Sequence, residues 1–489
     1  MKHKKFPKKL IKVFSLALLP ALISACSHFK SVEHAEALAQ LPDAPAEFNL
    51  PRAANNHAPV ADWWAQLEDV ELNKLIVDSL QHNHSIRIAL ASLEESRAYL
   101  RNSKLDRYPT IEANVSGTRQ KRSLAEGAIN NARINETYQA GFDASWELDI
   151  FGRVRNGGRL SEAQVAARVA DLQAVQISVA AEVASAYISL RGYQYLLDVA
   201  ERNAMNQQES LQLTTRFEEV GRGDKLDVAR AQAQLELTRA SIPGLHAQIN
   251  AALNRIGALT GKPSGPLKLT LASKKPLPAV PASFAVGNPV DLLKRRPDVR
   301  RAEFALAGAV AEYNIRVADL YPRVSFNGGL GYLATDWSRL GNESTETFSF
   351  SPRIHWAAFN LGRVNAQINA ADARTHERIA EFEQRVLTAL EDADNALQNF
   401  SREEERRQGL QRALAASDRA AIFARKRFEV GTSDFLTVLD AERSQLDISA
   451  QLAQSDMQVL LNLIAVYKAL GGGWEIQQNT LASASSGAK

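Results

Sequence analysis

Arg216-Phe217-Glu218-Glu219-Val220-Gly221-Arg222-Gly223-Asp224 and, further on, Arg427-Phe428-Glu429-Val430-Gly431-Thr432-Ser433-Asp434 are two versions of one message. In each, a long Ala-rich stretch without proline runs into a glycine, and an aspartate three residues later opens a second long stretch. Glycine ends a helix because it accepts the left-handed conformation, and an Asp side chain caps the next helix by accepting its free N–H groups. Gly221 with Asp224, and Gly431 with Asp434, therefore read as the tips of two very long helical hairpins.

The stretches on either side of the tips support this. Val179, Val183, Ala186 and Leu190 alternate spacings of four and three, and Val386, Leu390, Ala393 and Leu397 repeat the pattern. The return stretch carries Leu439, Leu446, Ala453, Leu460 and Tyr467 at intervals of seven. Sustained spacing of this kind is the coiled-coil signal. A helix of about 60 residues would extend roughly 90 Å. Pro243 is expected to interrupt and kink the first return helix.

Upstream of each hairpin the period changes. One helix, over roughly 67–105, ends at Tyr108-Pro109; another, opened by Arg296-Pro297-Asp298, ends at Tyr321-Pro322. Proline disfavours a helical residue before it. Ile111, Ala113 and Val115 then alternate with Glu112, Asn114 and Ser116, and Ala140, Phe142, Ala144, Trp146 and Leu148 alternate with polar neighbours. Val324, Phe326, Leu330 and Tyr332, and then Phe348, Phe350, Ile354 and Trp356, do the same in the second half. Runs of about ten alternating residues suit tilted membrane-crossing strands, apolar side to lipid and polar side to a lumen. Half-buried soluble hairpins are the alternative. Four strands cannot close a barrel, and open edges are not tolerated in lipid, so several chains would share one. Two chains would give eight strands and three would give twelve; the residues alone leave both open.

Composition locates the chain. The net charge of +3 is concentrated in six lysines, Lys2 to Lys12, that lead into an apolar run ending at Ala25. Removing them from 58 basic residues leaves 52 against 55 acidic, or −3, so a nucleic-acid partner is not expected. The basic and apolar regions form an export signal over 1–25. The single cysteine, Cys26, follows Ile23-Ser24-Ala25 and resembles a lipoprotein box; the resemblance implies cleavage before Cys26 and its acylation. Ser27, rather than Asp, after the Cys points to the outer membrane. One cysteine permits no internal disulfide.

The expected organisation is a signal peptide (1–25), an extended lipid-anchored tether (26–58), two repeats (59–272 and 273–475) and a polar tail (476–489). Residues 262–293 are Pro-rich and link the halves. No catalytic motif is present, and neither an enzyme nor a cofactor beyond the lipid on Cys26 is expected. His82 and His84 lack a nearby third ligand and read as a solvated pair. Arg222-Gly223-Asp224 spells an adhesion tripeptide but stands where a helix stop and cap are required.

Candidate functional residues lie just past each tip: Leu226, Asp227 and Arg230 in one hairpin, Leu436, Thr437 and Asp440 in the other. In a hollow assembly they would form rings, and rings of Asp attract cations while apolar rings resist wetting. Against this, Asp227 could simply complement a helix dipole, and Asp440 could be an ordinary exposed residue.

The duplicated tips, Arg296-Pro297-Asp298-Val299-Arg300, Leu320-Tyr321-Pro322, Val438-Leu439-Asp440-Ala441 and the Gly-Arg starts at 152–153 and 362–363 together resemble the outer membrane factors of tripartite efflux systems. This is the TolC-like family, and the resemblance is to its OprM/NodT lipoprotein branch, over nearly all of Cys26 to Trp474. It implies an α+β membrane protein: a homotrimer with a twelve-stranded β-barrel, four strands per chain, continuous with a long periplasmic α-helical barrel. It also implies a periplasmic adaptor and an inner-membrane pump as partners, and a passive exit duct for small molecules. Asp440 matches the family's constricting Asp ring and Leu436 its apolar constriction, whereas Thr437 stands where the TolC pattern has a second Asp. Asp227 matches a lock residue whose usual Tyr and Arg partners are replaced by Phe428 and Ser433, so a different closure is expected, using Arg222 or Arg230. The other reading is a lipid-anchored coiled-coil structural or adhesin protein without a pore, which would be all helical.

Overall fold

A computed structural model describes residues 51, 53–55, 57, 61–123 and 134–472. The expected signal peptide, Cys26 and the tail 476–489 lie outside the described residues. In chain order the main elements are β1 (Ala54–Asn55), α1 (Val70–His82), α2 (His84–Leu105), β2 (Thr110–Lys121), β3 (Ile134–Leu148), α3 (Arg153–Glu219) and α4 (Lys225–Leu259). Then follow α5 (Ser264–Leu271), β4 (Phe284–Ala285), α6 (Pro289–Arg295), α7 (Pro297–Ala318), β5 (Arg323–Ala334), β6 (Glu346–His355), α8 (Leu361–Glu429) and α9 (Phe435–Ala469). The outgoing helices have 67 and 69 residues, about 100 Å each at 1.5 Å per residue. None of the described helices is long and apolar enough to cross a membrane.

The chain divides into two compact units that cut across the sequence repeats, each unit taking pieces of both. The first comprises Leu100–Ala163 and Leu306–Ile379 among the described residues, and holds one antiparallel sheet in the order β2-β3-β5-β6. The register puts Phe142 opposite Ala113 and Leu330, Trp146 opposite Phe326, and Leu330 opposite Phe348. One face is therefore apolar along most of the strands, with Arg119, Glu136 and Glu346 at its far end, and the other carries pairs such as Glu112 with Asp143 and Ser145 with Asn327. Among the described residues the apolar face has no partner: Ile111, Phe142, Leu330, Phe348 and Phe350 are all exposed, Phe348 at 82%. Gly141 pairs with Gly331 where the two repeats meet, and a Cβ on Gly141 would stand 2.6 Å from the Leu330 carbonyl oxygen. Only glycine fits so close an approach.

Each hairpin is tied back to the helix before it. The indole N–H of Trp146 donates to the Arg107 carbonyl at 3.0 Å, and that of Trp356 donates to the Leu320 carbonyl at 2.9 Å. Both carbonyls belong to the residue just before Tyr-Pro, so the two repeats share this contact.

The second unit comprises Gln164–Ala305 and the described parts of Pro42–Tyr99 and Ala380–Lys489. Trp63 is buried, stacked on Tyr467 at 4.8 Å, and the Tyr467 hydroxyl donates to Gln66 Oε1 at 3.0 Å. The expected single helix over 67–105 is two helices, because Asn83 is extended and accepts from the backbone N–H of Ser85 and Ile86. The Asn83 amide donates to the Leu259 carbonyl at 2.8 Å, closing the end of α4. Arg296, extended between α6 and α7, does the same for α9: Nη1 donates to Ala469 O at 3.3 Å and Ala389 O at 3.2 Å, while Nη2 reaches Asp298 and Asp392.

Two expectations are corrected. The helix runs through Pro243 without interruption, because the proline sits on the exposed side, where water can satisfy the carbonyl it leaves without a donor. The Pro-rich stretch 262–293 is not merely a linker: it forms α5, and β4, which pairs in parallel with β1. That pairing seats part of the tether on the second unit.

Candidate functional site

The two tips are built alike. Gly221 and Gly431 have φ of +75° and +78°, the conformation that an L side chain resists. The N–H of Gly221 bonds Glu218 O and that of Arg222 bonds Phe217 O; the N–H of Gly431 bonds Phe428 O and that of Thr432 bonds Arg427 O. These are paired Schellman closures that satisfy the last helical carbonyls. Asp224 accepts from Leu226 N at 3.2 Å. Asp434 accepts from both the backbone N–H of Thr437 (3.0 Å) and its hydroxyl (2.5 Å). The hydroxyl bond, then the N–H bond, hold the Asp434 carboxyl below the usual carboxylate range.

One difference separates the tips. Phe217 lies four residues before its glycine, whereas Phe428 lies three before. A step of one residue turns a helical side chain by about 100°. The two rings meet at 5.2 Å, and Phe428 also meets Phe435 at 5.5 Å. Behind them Ala231, Ala424, Phe435, Val438 and Leu439 form a buried cluster that packs the hairpins together near their tips. Phe217 and Phe435 were not singled out from the sequence; the unequal Phe-to-Gly spacing of the two copies was the available signal.

The first turns of α9 divide by face, and the residues expected to form rings share one of them. Phe435, Val438 and Leu439 are buried, and Leu436, Thr437 and Asp440 on the other side of α9 are exposed, Leu436 at 42%. An apolar side chain next to the cluster is thus left outward beside a carboxylate one turn further on. Thr437 is partly committed to the cap of α9, so its hydroxyl is less free than its position on that face suggests.

Arg222, Asp227 and Arg230, the residues expected to offer a different closure, lie at or just past the first tip. Asp227 is at the third position of α4, and Arg230 Nη1 lies 3.6 Å from its carboxylate. Burial raises the Asp227 carboxyl above the ordinary range, against the lowering effect of Arg230, and the neighbouring Asp224 and Asp434 push it in the same direction. The Asp434 carboxyl of the other tip is also lowered by the Arg230 charge. The Arg222 guanidinium lies over the Phe217 ring at 5.1 Å, and its Nη2 is 3.3 Å from where a Cβ on Gly431 would stand. It crosses from one tip to the other. Ser433 is half-buried, and no hydrogen bond of its side chain is found among the described residues. Among the described residues no group of three or more His, Cys, Asp or Glu could hold a metal.

Residues 75–262 and 288–472 match the model of a family described as outer membrane efflux protein. A probable efflux pump outer membrane protein of Pseudomonas putida, TtgC, is 30% identical over 470 residues, 94% of this chain and 96% of that protein. The outer membrane protein OprJ of Pseudomonas aeruginosa is 30% identical over 468 residues, 94% of this chain and 95% of that one. Among solved structures, the outer-membrane channel OprN superposes with a TM-score of 0.84 at 38% identity, covering 89% of this chain and 99% of that one.

Proposed function

The chain belongs to the outer membrane efflux protein family, and on that premise we propose that it is a gated, passive exit duct, closed at its hairpin tips and assembled from three copies. It is an outer-membrane channel of efflux. The observation that carries the finer reading is the sheet: four strands with one continuous apolar face exposed and nothing paired to the outer edges of β2 or β6 among the described residues. An isolated sheet of this kind would aggregate in water and would leave its edges unsatisfied in lipid. Three copies give a closed twelve-stranded barrel with room for a lumen. A pore-free coiled-coil adhesin would have no use for such a sheet.

The helical hairpins would form the periplasmic part, with Leu436 and Asp440 presented three times at its narrow point. An apolar ring beside an acidic ring resists wetting and filters by charge. Asp227, held by Arg230, and Arg222, laid across both tips, replace the usual lock within each protomer. Nothing in the site transfers atoms or electrons, so the driving force belongs to partners: a periplasmic adaptor that engages the tips and an inner-membrane pump. Acylation of Cys26 would anchor the chain to the outer membrane.

The test is conductance of the purified protein in planar bilayers. Wild type is expected to conduct weakly, as a heat-modifiable oligomer with the mass of three chains, and Asp440→Ala to conduct more and to lose block by multivalent cations. A protein that never conducts refutes the duct; unchanged conductance and block in Asp440→Ala refute the gating role.

A further inference from the structure

α4 keeps two poor helix formers side by side in its interior, Pro243 and Gly244. Both cost helix stability, proline by removing a donor and glycine by its backbone freedom. At the same distance from its Asp cap, α9, the second version of this return helix, has Ala453 and Gln454. The usual reasons for a helical glycine do not apply at Gly244: its φ is not in the left-handed region, and a Cβ placed there would meet nothing within 4 Å. What the pair leaves is space.

That space belongs to a groove of about 770 Å³ lined by α3, α4 and α9. Its volume falls in the range of small-molecule sites, which combine an apolar lining with a few placed polar groups. Val199 on α3 is buried, Leu446 on α9 half-buried and Leu237 on α4 63% exposed, so the apolar lining runs from the core to open surface. Two of the lining residues are charged, Arg443 and Asp447, both on α9.

The two charges are not equally engaged. Asp447 accepts from the Gln451 amide at 2.9 Å, whereas Arg443 has no hydrogen bond or ion pair among the described residues. A guanidinium keeps its charge, and its fork of donors matches a carboxylate. A lone arginine on an open surface is commonplace; this one stands on the wall of an apolar groove. Arg443 and Asp447 also share the exposed face of α9 with Asp440. At about 100° per residue the three lie within about 60° of one another, and Arg443 stands about 4.5 Å beyond Asp440 along the axis.

We propose that this groove binds an amphiphilic organic anion, a molecule of one or two rings with a single carboxylate. The rings lie against Leu237 and Leu446 over the notch at Pro243-Gly244, and the carboxylate accepts from the Arg443 guanidinium. A cationic occupant fits less well, because the carboxylate it would need already holds an amide. A solute that has passed an acidic narrow point meets this cation one turn further on, so the groove is a resting place inside the duct. Its role for cargo rests on the reading of Leu436 and Asp440 as the narrow point; the binding site does not.

The experiment photolabels the purified full-length protein with 4-benzoylbenzoate and, as the uncharged control, its methyl ester, and maps the labelled residues by mass spectrometry. Label from the acid is expected within 234–248 and 443–450, the groove stretches of α4 and α9. Arg443→Gln should lower labelling by the acid about tenfold at limiting probe, equivalent to about 1.4 kcal/mol, and leave labelling by the ester unchanged. Gly244→Leu fills the notch and should lower both; if it fails to assemble, Arg443→Gln with the two probes decides. Label outside the groove, an unlabelled groove (the result if a helix of a second copy or of a partner lies there), or equal loss of acid and ester in Arg443→Gln overturns the site. In planar bilayers the acid should lower the conductance of Asp440→Ala, and adding Arg443→Gln should relieve this. Groove labelling with no effect on conductance overturns the resting place and leaves the duct standing. A protein that never conducts removes the duct, and the cargo role with it, whatever the labelling shows.

Discussion

Replacing Arg296 by Met tests the joint that closes the end of α9. The guanidinium makes five bonds: Nε and Nη2 to Asp298 (3.0 and 2.7 Å), Nη2 to Asp392 (2.9 Å), and Nη1 to the Ala389 and Ala469 carbonyls. Its side chain is 10% exposed. Removing one partner of such a buried pair costs about 3–5 kcal/mol, because the other is left uncompensated. Asp392 is half exposed and can turn to water, so the lower end, about 3 kcal/mol, applies. That is a factor of roughly 100 in the population of locally opened α9 ends. Hydrogen exchange of the amides from Leu463 to Gly472, corrected for intrinsic rate, reads that population directly.

The pH dependence sharpens the test. Burial works against the ionised Asp298, but the Arg296 hydrogen bonds and charge outweigh it and hold the carboxyl below its usual range. A depressed carboxyl contributes stability that is complete above its unfolded value, about 3.9, and is lost as the pH falls through the folded one. The gap between wild type and Arg296→Met should therefore be full at neutral pH and narrow below about pH 4. Unchanged exchange at neutral pH, or a gap that ignores pH, would falsify the account of this joint.

Three further outcomes are expected. Gly141→Val should abolish the heat-resistant oligomer on gels, since its Cβ would stand 2.6 Å from a backbone oxygen, whereas Gly117→Val, which meets only the Tyr138 ring at 3.2 Å, should assemble. Trp63→Ala should destabilise the second unit by about 3–5 kcal/mol, seen as a lower melting temperature in detergent, because the buried ring and its stack on Tyr467 are lost. Cys26→Ser should remove the acyl mass from the intact protein and release its amino terminus from lipid without changing channel conductance.

The parts of the fold that were legible in the sequence are those set by neighbours along the chain. The Gly-x-x-Asp tips, the alternating strands and the heptads each declare themselves within a dozen residues, and the duplication repeats each signal. Contacts between distant segments left no such trace. Leu237 and Arg443 have no shared pattern, so the groove they line emerges only when α4 and α9 are placed side by side. The Trp146 and Trp356 ties use a donor that looked like one more apolar residue of a strand. Asn83 was readable in principle, since Asn is a favoured helix N-cap, but the helical period continues across it and hid the break. Pro243 was over-weighted for the opposite reason: a local rule was applied without knowing that the residue faces outward.

The bare junction of Gly141 and Gly331 sets the chemistry of the polar face of the sheet. Side chains can swing, take up protons or trade partners, but peptide groups held in a ladder do none of these. Where these two glycines and Gly329 lie together, that face is a fixed pattern of amide dipoles with Asp143 as its neighbouring charge. In the barrel proposed above, a solute passing along this stretch would meet peptide groups with no rotamers to push aside, and discrimination between cargoes would be exercised elsewhere in the molecule.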